Sequence, residues 1–350
     1  MGPARLCTSH VHGDEAAHLV MKVGRQTTLR HQTAVSGIGV HSGSPATLTM
    51  LPAEADTGIV FVRCGVDGEP DREIRANVRA VTATEFATVL GDAKGPLCST
   101  AEHVLAALAG LGVDNAIIEI DGPEVPIMDG SAAPFVDAID QVGLVTLPTP
   151  RRYIRILKPV RVATGESYGE LRPHPQGFRV ELDIDFAHPL IGRQGIALDI
   201  EPETFRRELA RARTFGFMKD VVKLWSSGYA LGASFENTLV VNETRLLNPE
   251  GLRFPDEFAR HKALDAIGDL ALAGAPLLGA YRSVRGGHKL NHAVLSALMA
   301  DPSAWVLVEG PEIRPEIRQE SRQEAPRRAI RGHADLATGL AVPAYGPDVS

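Results

Sequence analysis

The chain has 350 residues, 44% of them hydrophobic and 23% charged, with a formal net charge of −7. That length suits two domains of ordinary size, and the acidic balance excludes a nucleic-acid binder that depends on a basic stripe. No apolar run reaches the roughly 20 residues of a membrane-spanning helix, the N-terminus lacks the apolar core of a secretory signal, and Cys7, Cys64 and Cys98 form neither a CxxC pair nor an even disulfide set. These features point to the cytoplasm.

Residues 1–25 are polar, His-containing and aperiodic, and read as a disordered N-terminal extension. Beyond them, alternation predicts strands in ATLTML (46–51), GIVFVRC (58–64) and NAIIEI (115–120). STAEHVLAALAGLG (99–112) reads as a helix, with Ser99 as N-cap, Glu102 at the capping-box position, and Gly110 and Gly112 ending it. APFVDAIDQVGL (133–144) reads as a second helix with Pro134 near its start, where a missing N–H costs little. The prolines and arginines near Leu147–Arg152 suggest a linker, placed at 148–153.

The second half repeats the rhythm. YIRILKPVRVAT, YGELRPH and FRVELDIDF read as strands, ETFRRELARAR (203–213) as a helix, 257–273 as a longer helix, Asn291 to Met299 as the last helix and WVLVE (305–309) as a closing strand. From Pro311 to the end, Arg, Glu and Pro dominate, and the segment reads as a disordered tail. The expected organisation is α+β: a first domain over 26–147, a second over 154–310, and a tail over 311–350.

RHKALDAIGD places His261, Asp265 and Asp269 at successive i, i+4 positions of one helix face. His261 and Asp265 so placed either share a divalent metal or form a solvated ion pair. A third ligand is sought in TAEHVLAAL. Glu102 and His103 are adjacent and project about 100° apart, so the sensible division makes one a ligand and the other a base, unless Glu102 is only a capping partner. His288, in RGGHKLNH, sits on a glycine-flanked backbone from which it can be aimed at a ligand, although most such histidines are plain loop residues. Asp269 either orients that imidazole or solvates its helix. Thr214 offers a hydroxyl to a developing oxyanion or caps a turn locally, and Lys262 faces an anionic substrate or water.

Taken together, STAEHVLAALAGLGVDNAIIEIDGPEVPIMDGSAAPFV, ARTFGFMKD, GLRFPDEFARHKALDAIGDL, GGHKLN and the early GIGVHSG closely resemble the UDP-3-O-acyl-N-acetylglucosamine deacetylases of lipid A biosynthesis. The resemblance runs from about Arg25 to about Glu309. It implies a Zn2+ site of His103, His261 and Asp265, with Glu102 as general base, His288 as a catalytic cation supported by Asp269, and Thr214 as oxyanion donor. It further implies substrate contacts from Lys262, Phe186, Phe215, Gly216 and Asp220. The implied fold is two α+β domains of related topology with the active site at their interface. A small β-α-β insert in the second, about 217–247, would enclose an acyl passage. A monomer acting on the acylated UDP-sugar follows, with no nucleic-acid partner. Two rivals stay open: another zinc amidohydrolase sharing the ligand logic, and a non-catalytic sugar-nucleotide or acyl-binding protein that keeps the fold.

Overall fold

Alternating apolar side chains in the first half build a five-stranded sheet, and those in the second half build a seven-stranded one. The computed structural model describes residues 24–65 and 70–310. In the first sheet the strands run Thr33–Ile38, Pro45–Pro52, Ala116–Ile120, Ile59–Arg63 and Arg72–Arg75 from edge to edge. Only Ile59–Arg63 and Ala116–Ile120 pair in parallel, so the intervening chain must cross over. That crossover carries helix α1 (Glu102–Leu111), and α2 (Ala133–Val142) follows, with proline in its first turn.

The second sheet is organised on Leu277–Val284. It pairs in parallel with Phe178–Phe186 and Arg152–Ile156, and antiparallel with Ser167–Arg172. Strand Gly192–Asp199 joins by an antiparallel ladder to Phe178–Phe186. The remaining helical elements are a short α3 (Pro202–Thr204) running into a π turn at Phe205–Leu209, a six-residue α4 (Val221–Ser226), α5 (Glu257–Ala271) and α6 (His288–Ala300), with 3-10 turns at Val78–Ala80 and Met218–Asp220. α4 lies between Phe215–Phe217 and Leu239–Val241, which pair in parallel, so this segment is a β-α-β unit.

Nine of the ten residues of α1 and twelve of the fifteen of α5 are buried. Helices buried on nearly every side belong in an interior, and these two pack on each other although each carries charged or polar side chains, Glu102 and His103 on α1 and His261, Asp265 and Asp269 on α5. Gly268 permits it: a Cβ there would stand 2.0 Å from the carbonyl oxygen of Glu102. The mixed sheets with segregated helices make the fold α+β.

Several local expectations need correction. The segment 148–153 is not a linker, since Leu144–Pro150 pairs antiparallel with Arg25–Leu29 and Arg152–Ile156 is already the next strand. Pro148 and Pro150 are tolerated because that two-stranded ribbon leaves one edge unpaired. Arg25 accordingly belongs to a strand, while the rest of the expected extension up to residue 23, and the tail 311–350, lie outside the described residues. Ser99 does not cap α1: the N-cap is Ala101, without a side-chain cap bond. The predicted helix 203–213 stops at Leu209 and is partly π. Finally, α6 starts at His288 rather than Asn291, so this histidine sits on a helix terminus and not on a mobile loop.

Candidate active site

The α1–α5 contact brings His103 beside His261 and Asp265, with one potential ligand atom of each within 4.8 Å of the others. Asp265 Oδ1 lies 3.3 Å from His261 Nε2 and 3.5 Å from His103 Nε2. Both His261 and Asp265 side chains are only 2% exposed, which rules out a solvated ion pair. Asp265 Oδ1 is buried and accepts no hydrogen bond, a costly state for a carboxylate oxygen unless positive charge fills the space beside it. Ligand atoms about 2.0–2.1 Å from a tetrahedral ion stand about 3.3 Å apart. The donor set therefore fits a divalent metal, with the three protein ligands typical of a catalytic site.

The surrounding groups prepare two of the three ligands, whereas His103 Nδ1 is buried with no hydrogen-bond partner among the described residues. His261 Nδ1 donates to the carbonyl of Ala212 at 3.1 Å, which leaves Nε2 as the free lone pair. Burial pushes the pKa of His261 down to about 3, so the imidazole stays neutral. Burial works against the Asp265 carboxylate, but His261, Lys262 and His103 together hold it well below the usual carboxylate range. Lys262 does not simply reach outward: its Nζ donates to Asp265 Oδ2 at 2.8 Å. Burial disfavours its charge too, yet Asp265 outweighs this and raises its pKa.

On the other side of Asp265 lies an acid–base group. Glu102 is 3% exposed, and its Oε1 is 3.8 Å from His288 Nε2. Oε2 accepts the backbone N–H of Thr88 at 3.0 Å, so this carboxylate faces the site instead of closing a capping box. Burial raises its pKa, an effect that His288 and His103 partly offset. His288 Nδ1 donates to Asp269 Oδ2 at 2.9 Å. Burial would lower the His288 pKa, but Asp269 and Glu102 prevail and raise it to about 9, leaving a cation at neutral pH.

Two residues that sequence reasoning missed complete this group. The Thr88 hydroxyl donates to Asp269 Oδ1 at 2.5 Å, and Asn291 Nδ2 donates to Asp269 Oδ2 at 2.8 Å. Tyr281 in turn donates to Asn291 Oδ1 at 2.7 Å. Asn291 had a signal, since it falls three residues after His288 and so on the same helix face. Thr88 had none, because its role depends on a chain reversal far from either helix.

The remaining candidates spread outward. Thr214 is fixed by its backbone, donating to Gly130 and accepting from Leu239, both at 2.8 Å, and no described residue accepts from its hydroxyl. The Phe215 ring stands 6.3 Å from that of His261 and 5.6 Å from that of Phe186. Gly216 borders open space, where a Cβ would meet nothing within 4 Å. Asp220 is exposed on the turn Met218–Asp220, outside the buried cluster. A separate cavity of about 880 Å³ is lined by the far ends of the same helices, including Leu108, Leu111, Leu270 and Ala271. None of the cluster lines it.

Residues 26–300 match the family model described as UDP-3-O-acyl N-acetylglycosamine deacetylase (LpxC). Proteins named UDP-3-O-acyl-N-acetylglucosamine deacetylase from Brucella ovis, Brucella canis and Brucella suis are each 52% identical over 286 residues, covering 81% of this chain and 98% of the relative. No helix among the described residues is long and apolar enough to cross a membrane. With a match over most of its length and identity far above what fold alone sustains, the chain belongs to the UDP-3-O-acyl-N-acetylglucosamine deacetylase family.

Proposed function

We propose that the chain hydrolyses the 2-acetamido group of UDP-3-O-[(3R)-3-hydroxyacyl]-N-acetylglucosamine, giving the free amine and acetate in the committed step of lipid A biosynthesis. The observation that carries this is the orphaned Asp265 Oδ1 between two imidazoles, beside a buried carboxylate–imidazole–carboxylate series. His103, His261 and Asp265 would hold the ion, which we assign as Zn2+ from its preference for imidazole and carboxylate in a three-ligand site. When bound, zinc supplies a water acidified to a pKa of about 7 and a Lewis acid for the carbonyl oxygen.

The chain's own groups then divide the work. Glu102, whose raised pKa suits a proton acceptor, takes a proton as the water oxygen bonds to the acetamide carbon. The Thr214 hydroxyl donates to the oxygen on which negative charge builds. Cationic His288, held by Asp269, faces the same charge, and a proton from the Glu102–His288 pair lets the amine leave as the C–N bond breaks. Lys262 and the Phe186–Phe215 edge, with Gly216 and Asp220, provide the nucleotide-sugar side. The β-α-β unit takes the acyl chain.

A binding protein would need neither a carboxylate of raised pKa nor a buried histidine cation beside it, which weighs against the non-catalytic reading. We further assign the protein to the cytoplasm as a monomer with two functional halves, 26–147 and 154–310. The deciding experiment pairs metal content with amine release from the acylated UDP-sugar. One ion per chain together with acetate release is expected, and absence of both would establish the binding-protein reading instead.

A further inference from the structure

Seven of the ten large hydrophobic side chains exposed among the described residues lie on or beside one segment of the fold. Met218, Val222, Trp225, Leu231 and Phe235 belong to the β-α-β unit, and Phe86 and Ile38 adjoin it. Val222 is 77% exposed, Trp225 57% and Leu231 55%. The Phe86 ring meets that of Tyr229 at 4.9 Å, and Ile38 Cδ1 lies beside Gly232. A gathered apolar surface of this kind marks an interaction site, whereas scattered single residues do not.

The chemistry of α4 and its preceding turn says what covers it. Val222 and Trp225 stand at i, i+3 on one face of α4, and Met218 lies on the tight turn Met218–Asp220 that leads into it. Lys223 on α4 and Lys219 on the preceding turn are both exposed beside these side chains. The Trp225 Nε1 donates to the carbonyl of Ala230 at 3.1 Å, so the only polar atom of that ring is satisfied within the protein and what faces outward is apolar. An aromatic ring and aliphatic groups bordered by lysines, whose stems lie on apolar surface while their ammonium groups reach polar heads, match an anionic lipid–water interface. A second copy of the chain would fit poorly, because it would bring the two lysine pairs together.

The patch is also held to the rest of the fold. The loop after α4 is pinned to the turn at His41: Leu231 N–H donates to the His41 carbonyl at 3.0 Å and Gly232 N–H to that of Val40 at 3.1 Å. The His41 imidazole meets the rings of both Phe86 and Tyr229. We propose that α4 and the loop to Phe235 dock the enzyme on the surface of an anionic bilayer, with Val222, Trp225 and Leu231 entering the headgroup boundary and Lys219 and Lys223 meeting lipid phosphates. The advantage of such docking for an acylated substrate rests on the activity proposed above, but the docking itself does not.

The test uses the full chain with its metal and vesicles of phosphatidylcholine alone or with phosphatidylglycerol. A Trp305→Phe background leaves Trp225 as the single tryptophan reporter. Sedimentation with the anionic vesicles and a blue shift of Trp225 emission are expected, both weakened by salt. Val222→Glu/Trp225→Glu, tested by sedimentation, and Lys219→Glu/Lys223→Glu should each lower partitioning at least about tenfold, with far-UV spectrum and metal content unchanged. No sedimentation of the parent protein, equal sedimentation of the variants, or a concentration-dependent dimer abolished by the same variants would overturn the proposal. Because vesicle binding is read without turnover, an inactive protein that still binds leaves the docking standing and faults only the assigned activity.

Discussion

Gly268→Ala tests whether the α1–α5 contact sets the geometry of the site. The glycine lies between Asp265 and Asp269, and an added Cβ would stand 2.0 Å from Glu102 O and 2.8 Å from its carbonyl carbon. Both neighbours are backbone, so no side chain can rotate away. Restoring an ordinary contact of about 3.5 Å requires α5 to move about 1.5 Å from α1. The 3.5 Å between His103 Nε2 and Asp265 Oδ1 would then open to about 5 Å, beyond the roughly 3.3 Å that a tetrahedral ion spans. Overpacking of this kind costs about 1–3 kcal/mol, less than the about 5–15 kcal/mol of a typical fold, so the protein should remain folded while losing metal and rate. A displacement of about 1 Å costs about a hundredfold in turnover. Metal per chain after dialysis against a weak chelator, acetate release and a thermal melt would be read together. A Gly268→Ala enzyme that keeps its metal and its turnover would refute the reasoning.

Other outcomes follow from the same geometry. Glu102→Gln should retain metal and lose at least about a hundredfold in turnover; near-normal acetate release would remove Glu102 from the base role. Asp265→Ala should abolish metal binding, read by elemental analysis, because two imidazoles alone remain. His288, with its pKa raised from 6.5 to about 9, is cationic below about 9 and loses its charge as the pH rises through that value. Asp269→Asn removes the main group opposing burial, so the alkaline limb of the rate profile should fall from about 9 toward or below 6.5; an unmoved limb would show that His288 is not the group titrating there. Thr88→Val deletes the hydroxyl donor to Asp269 but keeps the N–H that serves Glu102, and denaturant titration should show a loss of about 1–3 kcal/mol for the abandoned carboxylate oxygen.

What was legible in the sequence followed from local rules. The i, i+4 spacing put His261, Asp265 and Asp269 on one face, and strong alternation marked Pro45–Pro52 and Phe178–Phe186 as strands. Strand Gly192–Asp199 escaped because Gly192 and Gly195 dilute its pattern, although every second residue is exposed. Tertiary partners decided the rest. Ser99 has the chemistry of a cap, but its N–H is spent on Pro123 and the strained Thr100 that follows, at φ +59, turns the chain before the helix begins. Glu102 was ambiguous for the same reason: its local partner and its distant one compete, and only the fold brings Thr88 and His288 within reach.

The buried cluster on and around α5 carries a charge balance of its own. Glu102, Asp265 and Asp269 are three carboxylates, opposed by the two cations Lys262 and His288, so the ionised set retains one negative charge in an interior only 1–3% exposed at the three acids. Such an excess is expensive without a counter-charge. A divalent ion beside Asp265 Oδ1 would reverse its sign to one positive charge, which is the sign needed where an amide oxygen becomes anionic. Replacing Lys262 by a neutral residue would leave the acids further outnumbering the cations, and removing Asp269 would release the His288 proton. On α5 the i, i+3 pair Lys262–Asp265 sets a cation beside the acid, while Glu102 from α1 and His288 from α6 face each other across the same cluster, so the surplus negative charge falls where Asp265 Oδ1 stands without a hydrogen-bond partner.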